Sequence, residues 1–216
     1  MSRVKREKAG LKERLLASLG KRLMYWKAKK VTQLLVNLSY RECIRLLVEI
    51  YGSTTGALNA IFKLARDAGP DFLNEWVESA SPIFSKHVGD HALWIKSGYY
   101  GFTGDHVKWI KYFPPGEPYP GTATDAHRVV WQLHTCFLCA GMQNDPSVSV
   151  TKEDLKDHGW GAAIAGIFTA TTRMINEYAD IQFTSRVYET QCLLRGDPIG
   201  EFVAEFYPKE KEVPST

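Results

Sequence analysis

Cysteine is scarce in this chain, and the four present, Cys43, Cys136, Cys139 and Cys192, show no disulfide spacing. A secreted, bridge-stabilised scaffold is therefore excluded, and the thiols are expected free or metal-bound. No run approaches the roughly 20 consecutive apolar residues of a membrane span. The start, M-S-R-V-K-R-E-K, lacks the apolar core of a secretory signal, so a cytoplasmic protein is expected. Phosphate-binding and metalloprotease signatures are missing too: there is no Walker loop, no dinucleotide fingerprint and no H-E-x-x-H. No low-complexity stretch suggests a second domain, and 216 residues at 44% hydrophobic suffice for one buried core.

Charge is unevenly placed. Residues 1–30 hold eleven Lys or Arg against Glu7 and Glu13, a local +9 against +3 for the whole chain, which leaves residues 31–216 at −6. Leu11, Leu15, Leu19, Leu23 and Trp26 recur at helical spacing among these cations. Residues 1–36 are thus read as a basic amphipathic N-terminal segment, helical from residue 10. It suits an acidic protein face first and an anionic membrane second; specific nucleic-acid binding is not expected.

The next segments read as helices. Ser39 with Glu42 has the form of a capping box for a helix reaching Tyr51. Gly52, Gly56 and Ala60 fall four apart, the spacing of a small-residue helical face that admits close approach of another helix. Gly69-Pro70 predicts the end of that helix, with a shorter one from Pro70 to about Lys86. Aromatic residues crowd Ala92 to Tyr119, with alternation from Val107 to Phe113 predicting a strand, then the irregular P-P-G-E-P-Y-P-G. A second strand is predicted from His127 to Leu138. Thr151 with Asp154 is read as the cap of a helix whose apolar middle, G-W-G-A-A-I-A-G-I-F-T-A, should be buried. Alternating runs at 181–192 and 201–207 flank a Gly-Asp-Pro turn and form a hairpin, and residues 208–216 read as a loose tail. The expected fold is α+β: N-terminal helices on an antiparallel sheet, a buried central helix and a C-terminal hairpin, with 37–207 as one domain.

Three groups of residues carry candidate chemistry. Cys136 beside His134, with Glu189, would suit a thiol nucleophile, its activating imidazole and an orienting carboxylate. Cys136, Cys139 and Cys192 with Glu189 are the conceivable zinc donors, although C-x-x-C stands alone here and no cofactor is expected. Tyr99, Tyr100, Trp109 and Trp131, with Cys139, are candidate walls of a pocket for a flat or apolar molecule.

The hairpin resembles the closing hairpin of the V4R domain family, small-molecule-binding modules related to the Bet3-type subunits of the TRAPP vesicle-tethering complex. Glu189, Cys192, Gly196, Asp197, Pro198 and Phe202 stand in the places of E-x-x-C-x-x-x-G-[DH]-P-x-C-x-F, whose Glu and two Cys help hold zinc in that family. Gly200 stands where the second Cys would be. The chain also resembles L-2-amino-thiazoline-4-carboxylate hydrolase-like proteins, through Val129 to Cys139 and the Gly-Asp hairpin. These resemblances imply a ligand-binding subunit or sensor, a hydrolase of small cyclic amidines acting on C–N or C–S bonds, or a TRAPP-like scaffold without ligand. They also imply a homodimer or a place in a larger complex, formed through the helical layer.

Overall fold

A computed structural model describes residues 33–139, 151, 153–155 and 157–209. The basic segment 1–30 and the tail from 210 lie outside the described residues.

Two long helices come first. Helix α1, Gln33–Tyr51, runs through Ser39 without interruption, so Ser39 caps nothing. Glu42 instead pairs with Arg45 at 2.9 Å and with Arg41 at 3.1 Å. Gly52, at φ 72°, turns the chain in a left-handed conformation that suits glycine. Ser53 then caps helix α2, Thr54–Ala80, accepting the Gly56 N–H at 3.0 Å. Gly52 therefore lies between helices and shares no helical face with Gly56 and Ala60. Helix α2 also continues through Pro70. An interior proline costs about 3 kcal/mol. Burial of Ala57, Leu58 and Ile61 before it and of Leu73 and Val77 after it offsets that cost and keeps both halves in one helix.

Close helix approach does occur, but through other small residues. Helix α4, Ala162–Tyr178, lies against α2, and a Cβ on Gly166 would fall 2.5 Å from the Phe62 carbonyl oxygen and 2.8 Å from Ala65 Cβ. A Cβ on Gly69 would fall 2.5 Å from Ala170 Cβ. Only glycine at these positions permits the separation. The expectation that the apolar segment forms a buried central helix is met: Ile164, Ala165, Phe168, Thr172 and Ile175 are all buried. Its start differs. Thr151 and Asp154 bond to each other in a local turn, and the helix begins eight residues after Asp154.

Helix α3, His91–Thr103, carries Trp94, Tyr99 and Tyr100 and ends at Gly104, φ 77°. Strands β1 (Trp109–Phe113), β2 (His127–Leu133), β3 (Phe183–Gln191) and β4 (Gly200–Pro208) form an antiparallel sheet in the order β1-β2-β4-β3. Strand β2 ends at Leu133, five residues short of the expected end, because His134 and Thr135 are exposed and the chain turns, Cys139 N–H bonding to the Cys136 carbonyl at 2.9 Å.

The sheet has two covered faces. Val129, Trp131, Leu133, Val187, Phe202, Ala204 and Phe206 join the main core with α4. On the other face, Val130, Val203 and Phe113 form a smaller cluster beneath the loop after β1. Fully buried Arg128 ties that loop down, donating to Thr122 Oγ1 at 2.9 Å and to the Pro114 and Glu117 carbonyls. Buried Glu205 accepts from Ala123 N–H, Arg186, Tyr188 and Tyr207. Glu201 accepts from Tyr119, Gln132 and Thr190. With this many donors, both carboxylates are satisfied despite burial.

Candidate functional site

A row of paired residues crosses the inner face of the sheet: Ile110 opposite Trp131, Trp131 opposite Phe202, and Phe202 opposite Glu189. Paired residues share a face, so the hydrophobic row ends in a carboxyl group. Trp131 stacks on Phe202 with ring centroids 5.5 Å apart and meets Phe168 of α4 at 5.4 Å. Glu189 then reaches the start of α4, where Oε2 accepts the Gly161 N–H at 2.9 Å.

The chain leading into α4 is shaped around that carboxyl. A Cβ on Gly159 would lie 1.9 Å from Glu189 Oε2, and one on Gly161 would lie 2.5 Å from Phe202 Cζ. Gly159-Trp160-Gly161 is therefore a close backbone approach rather than helix interior. Between the glycines, Trp160 anchors the turn after β2 through its indole N–H, donated to the Leu138 carbonyl at 3.0 Å, and Tyr40 of α1 donates to the Trp160 carbonyl at 2.8 Å.

Three thiols meet the carboxyl there. Cys136 and Cys139 arrive on the turn after β2, and Cys192 follows β3; all three are buried. Cys192 Sγ accepts the Trp160 N–H at 3.3 Å, while its own N–H goes to Asp197 Oδ2 at 2.8 Å. Asp197 is held in turn by Arg195 at 2.7 Å. The Cys139 thiol is pushed up because it hydrogen-bonds Cys136 and Cys192. The Cys192 thiol is lowered to about 6 by the Cys139 hydrogen bond, aided by the N–H groups of Trp160, Arg195 and Leu194 and opposed by burial. Burial holds the Glu189 carboxyl well above the usual carboxylate range, and the neighbouring Cys192 and Cys136 push the same way. Burial thus favours the protonated form of Glu189, while the hydrogen bonds to Cys192 favour its thiolate.

Glu189, Cys136, Cys139 and Cys192 are thus brought together, whereas His134 is not. It is exposed at the end of β2 and makes no hydrogen bond among the described residues, while Cys136 is buried. The candidate aromatic walls also divide. Tyr99 and Trp131 both face Phe168, but Trp109 lies on the opposite face of the sheet against Tyr119, and Tyr100 packs on His106. Trp160 and Tyr40 belong to the site, although in sequence Trp160 reads only as part of an apolar helix and Tyr40 carries no signal. The glycine pair flanking Trp160 was the available signal.

Three thiols and a carboxyl are suitable donors for zinc in kind. Among the described residues, however, no group of three or more His, Cys, Asp or Glu is set to hold a metal ion. Position 200 is nevertheless open, since a Cβ on Gly200 would stand 3.8 Å from Leu133 Cβ and 4.0 Å from Glu189 Oε1.

The helix and strand order has a solved counterpart. The chain has a TRAPP-subunit fold. It is similar to trafficking protein particle complex subunit 3 from Naegleria fowleri, with TM-score 0.61 and 13% identity over 81% of this chain and 94% of that one. That protein was crystallised covalently bound to palmitic acid. No family model matches the sequence, and no curated protein does. At this identity the likeness establishes the fold, and the expectation of a TRAPP-like α+β domain is met. Among the described residues, no helix is long and apolar enough to cross a membrane.

Proposed function

We propose that this protein is a ligand-binding subunit of a larger assembly, taking an apolar organic molecule between the α3–α4 layer and the sheet, its polar end at the thiol–carboxyl cluster. The observation that carries this reading is a pair of buried atoms without hydrogen-bond partners, Trp131 Nε1 and Glu189 Oε1, on either side of Phe202. Leaving such an atom unpaired costs about 1–3 kcal/mol. A ligand carbonyl or hydroxyl would supply what each lacks: an acceptor for the indole N–H and for the proton of the neutral carboxyl. The palmitate on the structural counterpart supports an acyl chain as the class of ligand.

Assembly is part of the same proposal. Helices α1 and α2 expose Leu46 (50%), Ile50 (72%), Leu64 (61%) and Phe72 (78%), an apolar surface suited to a protein partner or a second copy of the chain. Light scattering at micromolar concentration tests the self-association arm, which a clean monomer removes.

The lowered Cys192 thiol favours one covalent variant of this reading. Its thiolate would attack the carbonyl carbon of an acyl-coenzyme A thioester, forming a new C–S bond as the coenzyme A thiolate leaves and takes up a proton. Hydrolysis by a Cys136–His134 pair has less support, since those side chains are not joined.

Native mass spectrometry of protein purified from its source is the test. A retained organic mass that denaturation releases supports non-covalent binding, and one released only by hydroxylamine and lost in Cys192→Ser supports the thioester. An unliganded mass in every preparation would sink the ligand reading and leave a scaffold.

A further inference from the structure

A second site lies on the helical layer, apart from the thiol cluster. A groove of about 630 Å³ runs between α2 and α4 where Pro70 interrupts the hydrogen-bond ladder. Its floor is apolar, from Pro70, Ala170 and Met174, and Tyr178 stands at one end, its hydroxyl donated to Asn74 at 3.2 Å.

Arg173 gives the groove its chemistry. Its Nε donates to the Ser185 carbonyl at 2.9 Å, fixing the planar guanidinium, and its two terminal nitrogens make no hydrogen bond among the described residues. Arg66 lines the same groove but is committed to Asp67 at 2.7 Å. Burial first, and the Arg66 charge second, lower the Arg173 guanidinium from its usual range. Arginine does not deprotonate in proteins, so this disfavour persists until an anion relieves it. Asp67 and Glu177 also line the groove, so its formal charge is zero, and the two terminal nitrogens of Arg173 rather than net charge are what an anion would meet. A monoanion can pair with Arg173 alone, whereas a dianion would carry a second charge toward the two carboxylates.

We propose that this groove binds a small organic monocarboxylate, the carboxylate on the terminal nitrogens of Arg173 and the apolar body on Pro70, Met174 and the Tyr178 ring. The volume is that of a pocket for one small molecule, and the fork of an arginine matches a carboxylate in two parallel hydrogen bonds. The proposal stands independently of the core cluster.

Calorimetric titration of the full chain with octanoate, benzoate and inorganic phosphate tests it. At least one monocarboxylate should bind saturably at millimolar concentration or below and more tightly than phosphate. Arg173→Met should weaken it by about tenfold or more, the loss expected for a charge-assisted pair. Glu177→Gln, a change that leaves the Arg173 anchor in place, should strengthen it, which keeps the test valid if Arg173→Met fails to fold. Cys192→Ser should leave it unchanged, separating this site from the core. Absence of binding by either carboxylate, phosphate binding the tighter, or affinity indifferent to both groove variants would overturn the proposal.

Discussion

Gly159 and Glu189 are in contact so close that a single methyl group cannot fit between them: a Cβ on Gly159 would lie 1.9 Å from Glu189 Oε2. The backbone entering α4 is thereby fixed against a buried carboxyl on β3, and the carboxyl against the first N–H of the helix entry, Gly161. Gly159→Ala must displace Glu189 or the helix start. A loss of about 2–4 kcal/mol is expected, within the range of overpacking and of breaking a buried network, and is measured by denaturant unfolding. A melting temperature within a degree or so of wild type would show that the loop has room.

Burial raises the Glu189 carboxyl and so favours its uncharged form, and its amide isostere should be accepted. Glu189→Gln keeps an acceptor for Gly161 N–H and is expected to cost under about 1 kcal/mol at neutral pH, whereas Glu189→Ala also opens a cavity and should cost about 2–4 kcal/mol. The pH dependence has a definite sign. The folded carboxyl is raised above its ordinary 4.5, so above that pH the folded state keeps a proton that the unfolded chain has lost. Wild-type stability should therefore fall with rising pH relative to Glu189→Gln. Parallel unfolding curves for the two proteins from pH 5 to 8 would refute a neutral Glu189.

Gly200 stands where the V4R hairpin that this chain resembles has its second Cys, and there is space for a side chain there. Gly200→Cys should raise the zinc content of the purified protein above that of wild type, using Glu189 and Cys192 as further donors, and make its melting temperature sensitive to chelators. Equal zinc content in both proteins, measured by elemental analysis, would show that this end of the hairpin does not complete a site.

His91 is buried at the base of α3 against Phe206, donating Nδ1–H to the Val88 carbonyl at 3.0 Å. Burial lowers it from the ordinary 6.5 to about 4. Between those values the unfolded chain binds a proton that the folded chain does not, so stability is lost as pH falls through this window, by about 3 kcal/mol at most. His91→Gln, which retains an N–H donor, should remove that part of the acid sensitivity. Unchanged pH dependence in the variant would assign it to other groups.

The C-terminal hairpin and the buried central helix are legible in the sequence because each rests on local information. Alternation over 181–192 and 201–207 specifies strands with one face buried, Gly196 supplies the positive φ of 90° at the turn, and an apolar run as continuous as Ile164 to Ala170 cannot face water. The gathering of Glu189 with Cys192 is legible too, since three residues at a strand end keep them close.

What only the tertiary structure decided lies where distant segments meet. Pro70 stays inside a helix, against its local preference, because burial along both halves of α2 outweighs one lost hydrogen bond. The small residues that set the helix spacing are Gly69 and Gly166, nearly a hundred positions apart, rather than the regular Gly52, Gly56 and Ala60. His134 and Cys136 share a face only if β2 continues, and an end at Leu133 exposes one and buries the other, turning Cys136 and Cys139 toward Cys192 instead. Periodicity reports which face of a segment is apolar. It carries no information on which other segment covers that face, and that partner supplies the burial that raises the Glu189 carboxyl and the hydrogen bonds that lower the Cys192 thiol.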